Sequence, residues 1–153
     1  MSAELSDVRF HLAFPVTDLA LAKQFYAEGL GCVVGRESRH SVIFGLAGHQ
    51  LVAHLTPTPL PTQKGIYPRH SGLIFRQEAD WQAMRERAEQ QHLPFFEAPR
   101  WRFVGEITEH ATFFLADPFG NLLEFKFYRH EESIFGAHEF TQIGDRETAG
   151  VGA

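Results

Sequence analysis

The sequence predicts an α+β fold in which two βαβββ modules form one curved mixed sheet. Three observations lead there. The order of strand and helix signals runs through once and then repeats, a proline-rich stretch separates the two passes, and each pass opens on a histidine in its first strand.

The first strand is expected over 8–16, where alternation puts Phe10, Leu12 and Phe14 on one face and Arg9, His11 and Ala13 on the other. Asp18 is suited to cap a helix over about 19–29, with Leu19, Ala22, Phe25 and Tyr26 as its apolar stripe and Gly29 and Gly31 at its end. Strands follow at 32–37, 41–46 and 50–55, the last two joined by a turn at Ala47-Gly48. After the segment Thr56-Pro57-Thr58-Pro59-Leu60-Pro61 the order restarts. It gives a strand at 70–76, a helix over about 79–91 carrying Trp81, Met84 and Ala88, and an extended stretch near 95–97. A long loop containing Arg100–Gly105 comes next, then strands at 110–116 and 122–128 around the turn Asp117-Pro118-Phe119-Gly120-Asn121.

Residues 1–140 are thus expected to form a single domain, with module one at about 8–56, a linker at 57–66 and module two at about 67–130. Residues 141–153, polar and glycine-containing, read as a mobile tail. In this scheme His54 in the fourth strand of module one matches Glu124 in the fourth strand of module two.

Composition narrows the function classes. At 153 residues, with 15 Phe, 44% apolar and 22% charged residues, the chain reads as a soluble globular protein with an aromatic interior. A formal net charge of −5, with Lys and Arg dispersed, argues against a nucleic-acid or membrane surface. No apolar run approaches the roughly 20 residues that span a bilayer. The N-terminus has neither a cationic start nor an apolar core, so no signal peptide is expected and the protein reads as cytoplasmic. The one cysteine, Cys32, permits no internal disulfide and reads as a small buried hydrophobe.

His11, His70 and Glu124 supply the nitrogen and oxygen donors suited to Fe(II), Mn(II), Ni(II), Co(II) or Zn(II). Each histidine taken singly has an ordinary reading as a hydrogen-bonded or surface residue. Glu124 is more telling, because a carboxylate in a strongly apolar strand must meet a cation, a donor or water. Alternation puts His11, His54, His70 and Glu124 all on strand faces turned away from the helices. If the half-sheets curl toward each other, that face lines a concave, metal-containing cavity.

The segments Phe10-His11-Leu12-Ala13-Phe14-Pro15-Val16-x-Asp18, Phe25-Tyr26-x-x-Gly29-Leu30-Gly31 and Phe114-Leu115-Ala116-Asp117-Pro118-Phe119-Gly120-Asn121-Leu122-Leu123-Glu124-Phe125 resemble the vicinal oxygen chelate proteins. These are the glyoxalase/bleomycin-resistance/dioxygenase group. With Gly48-His49-Gln50-Leu51-Val52-Ala53-His54, the likeness is greatest to a small extradiol-dioxygenase-like branch. The resemblance implies one divalent metal per chain, Fe(II) or Mn(II) ahead of Ni, Co or Zn, held by His11, His70 and Glu124. His54 falls where glyoxalase I-type members carry a further ligand, so it is either a fourth ligand or a catalytic acid/base.

Coordination counting separates the reactions. Extradiol cleavage needs room on one ion for a chelated catecholate and O₂, which three protein ligands leave; a fourth ligand leaves room for an isomerase or lyase only. His110 is expected as a further catalytic acid. Lys126, Arg102 and Tyr67 are expected to bind substrate, with Arg100-Trp101-Arg102-Phe103 as a lid. His49 reads as local structure, and His40, His92, His130 and His138 as surface positions. The expected function is metal-dependent, extradiol-like cleavage of a small oxygen-rich molecule; a glyoxalase-like isomerase or a drug-binding protein of the same fold are the alternatives. A homodimer is the expected assembly, and the sequence leaves open whether the modules pair within a chain or by exchange.

Overall fold

The computed structural model describes Leu5 and residues 7–144. β1 (His11–Val16) sends Phe14 and Val16 inward and leaves His11 exposed, as alternation requires. Asp18 accepts a hydrogen bond from the Leu21 amide at 2.9 Å and starts α1 (Leu19–Lys23). The helix spans the expected residues, but its second half, Gln24–Gly29, is a π-helical turn. This wider winding lets the consecutive rings of Phe25 and Tyr26 bury together. Gly31, at a φ of +82°, reverses the chain into β2 (Val33–Glu37). β3 (Ser41–Leu46) and β4 (His49–Leu55) complete the module.

The second pass contains β5 (Ser71–Phe75), α2 (Glu78–Gln90), β6 (Phe95–Arg102), β7 (His110–Ala116) and β8 (Leu122–Tyr128). Strand β6 corrects the expected loop at Arg100–Gly105. The strand runs through Pro99 because β6 is an edge strand whose pairing with β7 is irregular on both sides of Glu97, where a proline costs no ladder bond.

Strand order is β1-β4-β3-β2 in one sheet and β5-β8-β7-β6 in the other. In each, the first pair is parallel and the rest antiparallel, so the repeat seen in the sequence is a repeat of topology. The two expected modules each form a four-stranded mixed sheet, and among the described residues no ladder joins β1 to β5. One core serves both modules, with Phe14, Tyr26, Phe44, Trp81, Phe113 and Phe125 in a single buried cluster. Polar ties lock the modules further. The Arg87 guanidinium donates to the carbonyls of Gly29 and Glu28 at 2.8 and 2.9 Å, and the Asn121 amide donates to the Pro15 carbonyl at 3.0 Å. Cys32 is buried, and burial pushes its thiol up to about 12, which suits the structural role. Among the described residues no helix is long and apolar enough to cross a membrane.

Candidate metal centre

The concave face of the second sheet is a ladder of three rungs, fixed by pairing register. Gly72, Glu124 and Phe114 share the first rung. Lys126 and Thr112 share the second, with Arg100 opposite Thr112. Tyr128, His110 and Arg102 share the third. Successive rungs lie about 7 Å apart, two residues along each strand. Together with residues before β5 and after β8, this face lines a cavity of about 570 Å³.

At the first rung, His70 Nε2 lies 3.5 Å from Glu124 Oε1. Each side chain is anchored at its other end. His70 Nδ1 lies 2.6 Å from the Ile66 carbonyl, which can only accept, so Nδ1 carries the proton and Nε2 faces Glu124. The Thr112 hydroxyl donates to Glu124 Oε2 at 2.8 Å, and Lys126 Nζ lies 3.7 Å from Oε1. Burial pushes the Glu124 carboxyl up, but the His70 bond, the Lys126 charge and the Thr112 bond together outweigh it and hold it below its usual range. The bond to Glu124 in turn raises His70 above its usual value, against the opposing effect of burial.

The far wall is aromatic. The His110 ring stacks on Tyr128 at 5.0 Å and meets Phe103 at 5.8 Å. Arg102 lies 5.0 Å over the Phe103 ring and Lys126 5.0 Å over Tyr128. His110 is buried, its Nδ1 bonded to the Thr108 carbonyl at 2.9 Å, and burial lowers its pKa so that the ring is neutral at neutral pH. Tyr67, Arg102, His110 and Lys126 all line this cavity.

Other expectations are redistributed. Arg100 and Arg102 belong to strand β6, and Trp101 packs near Trp81 and Phe127, so this stretch is sheet rather than lid. The outer wall comes instead from residues between Ser133 and Gly144, among them Phe140, Gln142 and His138. His138 is thus exposed but at the cavity mouth. Of the expected mobile tail, residues 141–144 border the cavity, and the rest lies outside the described residues.

His11 is not at this cavity. It stands on the first sheet, with Nδ1 2.8 Å from Gln50 Oε1, its register partner on β4. Among the described residues no three His, Cys, Asp or Glu side chains form a metal-holding group, so one chain joins two of the three expected ligands. His54 is exposed, paired with Pro15 and Ser41, and not on the cavity lining. By register the residue of β4 that matches Glu124 is Val52, because Val52 pairs with Ala13 as Glu124 pairs with Gly72. Gln50 and His54 flank it on the same face. His49 Nδ1 accepts from the Phe10 amide at 3.0 Å, a local role. Thr112 and Gln50, the partners of Glu124 and His11, were not singled out from sequence; Thr112 shares the strand parity of His110, but only register sets it near Glu124.

A family model described as the Glyoxalase/Bleomycin resistance protein/Dioxygenase superfamily matches residues 9–125. A glyoxalase/bleomycin resistance protein/dioxygenase from Alicyclobacillus acidocaldarius is 38% identical, with a TM-score of 0.81 over 87% of this chain and 100% of that one. The fosfomycin resistance protein FosX from Listeria monocytogenes shares the fold at 19% identity, with a TM-score of 0.63 over 87% and 99%. So does a lactoylglutathione lyase from Agrobacterium tumefaciens, at 18% identity and a TM-score of 0.59 over 88% and 99%. No curated protein gives a significant match. The chain belongs to the glyoxalase/bleomycin resistance protein/dioxygenase superfamily.

Proposed function

We propose that this member of the superfamily is a metal-dependent enzyme that chelates a small oxygen-rich substrate, with extradiol-type ring cleavage as its reaction. The observation that carries the reading is the His70–Glu124 pair, two metal-type donors 3.5 Å apart in a cavity. Their outer atoms are held by Ile66 and Thr112, the kind of support that orients a ligand toward an ion. The donor set fits Fe(II) or Mn(II). A bound ion would supply Lewis-acid polarisation of the chelated oxygens.

The third ligand in this reading is His11 from a second copy of the chain, in a homodimer. Exchange is supported by three features. His11 is exposed and oriented by Gln50, β1 and β5 are both edge strands, and Phe10 just before β1 and Ile74 within β5 remain 61% and 46% exposed. Val52 favours cleavage over isomerisation. With no donor at the counterpart of Glu124, module one contributes one ligand, leaving an octahedral ion room for a chelating substrate and one further reactant. In such a dimer His54 accompanies His11 and serves as acid or base rather than as a ligand. His110, about 13 Å along its strand from the Phe114 rung, addresses the far end of the substrate. Lys126, Arg102 and Tyr67 bind the substrate's polar groups.

Metal analysis of dialysed protein tests the centre. About one ion per chain is expected, lost in His11→Ala and in Glu124→Ala. Mixing those two variants after unfolding should restore about a quarter of the wild-type metal, because half the dimers are mixed and each carries one intact site. No restoration would rule out exchange. Metal-free wild-type protein that still binds catechols would point to a sequestering protein. Oxygen uptake with catechols and Fe(II) then separates cleavage from isomerisation.

A further inference from the structure

We propose that Lys126 makes retention of the metal depend on an anionic group of the substrate, so that a chelating substrate bearing a carboxylate and the ion each strengthen binding of the other. The inference rests on the metal reading above and names the substrate class for that site.

Lys126 shares a face of β8 with Glu124, two residues on, and its Nζ reaches to 3.7 Å from Oε1. That is the same oxygen that faces His70. Both side chains are largely withdrawn from water, at 23% and 12% exposure. A divalent ion that takes Glu124 removes the lysine's counter-ion and sets a second positive charge beside it. Among the described residues lining the cavity Glu124 is the only carboxylate. Charges this close and this shielded interact strongly.

An anion brought by the substrate resolves the conflict. Lys126 stands one rung, about 7 Å along the strand, from Glu124. It can therefore meet a carboxylate placed across a small ring from the chelating oxygens. The aromatic wall of Phe114, Tyr128 and His110 gives such a ring a face to lie against. Its contact with Tyr128 offers the ammonium a resting place within reach of both partners.

The test measures Mn(II) affinity, by spin resonance of free ion, for wild type, Lys126→Met and Lys126→Arg. Each is measured alone, with catechol and with 3,4-dihydroxybenzoate. Thermal melts confirm that the variants are folded. Without ligand, Lys126→Met should bind Mn(II) about tenfold more tightly than wild type, while Lys126→Arg stays near wild type. 3,4-Dihydroxybenzoate should tighten Mn(II) binding to wild type about tenfold more than catechol does, and this difference should vanish in Lys126→Met. Unchanged or weaker Mn(II) binding by Lys126→Met would overturn the proposal, as would equal effects of the two catechols on wild type. A wild-type protein that binds no Mn(II) under any condition would instead overturn the metal reading on which the proposal rests.

Discussion

His70 Nε2 and Glu124 Oε1 lie 3.5 Å apart beside the first rung of the second sheet, with His70 Nδ1 held by the Ile66 carbonyl and Glu124 Oε2 by the Thr112 hydroxyl. The pair titrates in opposite directions. His70 is raised above its ordinary 6.5, so its contribution is complete below that pH and is lost as pH rises through the higher folded value. Glu124 is lowered below its ordinary 4.5, so its contribution is complete above that pH and is lost as pH falls through the lower folded value. In chelator-treated protein, the Tm difference between wild type and Glu124→Gln should therefore peak at about pH 5–6. A difference still growing toward about pH 9 would contradict the pairing.

Thr112 is the hydroxyl that holds the far oxygen of Glu124. Thr112→Val keeps the shape of this 1% exposed side chain and removes the donor. Stability should fall by about 1 kcal/mol, while metal affinity should drop about ten- to a hundredfold. Calorimetric titration with Mn(II) reads the second effect, and an unchanged affinity would mean that Thr112 serves packing alone.

Gly72 allows β5 to approach β8 closely. A Cβ there would run into the backbone carbonyl of Glu124. The obstacle is main chain and cannot swing aside, so Gly72→Ala should cost about 3 kcal/mol or more and displace Glu124 from His70. Denaturant unfolding and metal content should fail together; a variant with native stability would show that the strands are free to part.

Asp117 closes the turn between β7 and β8 by accepting from the amides of Phe119 and Asn121, the Asn121 side chain and the Tyr26 hydroxyl. Burial raises its carboxyl, and these donors offset part of the effect. Asp117→Ala leaves several donors without acceptors, one of them the fully buried Tyr26, and should cost about 3 kcal/mol in urea unfolding. Tyr26→Phe, which removes only one donor, should cost about 1 kcal/mol.

Much of this protein was legible in its sequence, for local reasons. Alternation set the faces of β1 and β8, Asp18 marked the start of α1, and the repeated order of elements predicted the repeated topology. These depend on neighbours a few residues apart, which the sequence contains. The π-helical turn at Gln24–Gly29 and the continuation of β6 through Pro99 were not legible, because burial of two adjacent rings and an edge position decide them.

The candidate site divides in the same way. Sequence alone determined which donors exist and, for His11, His54, His70 and Glu124, which face of each strand they occupy. Tertiary structure decided which of them meet. Register, a relation between distant strands, put Thr112 on Glu124, Gln50 on His11 and Val52 rather than His54 at the matching point of module one. The absence of a ladder between β1 and β5 left His11 on a separate sheet from His70. Parity is a property of one strand, whereas distance across a cavity depends on how two sheets pack, and that is set by the shared core beneath them.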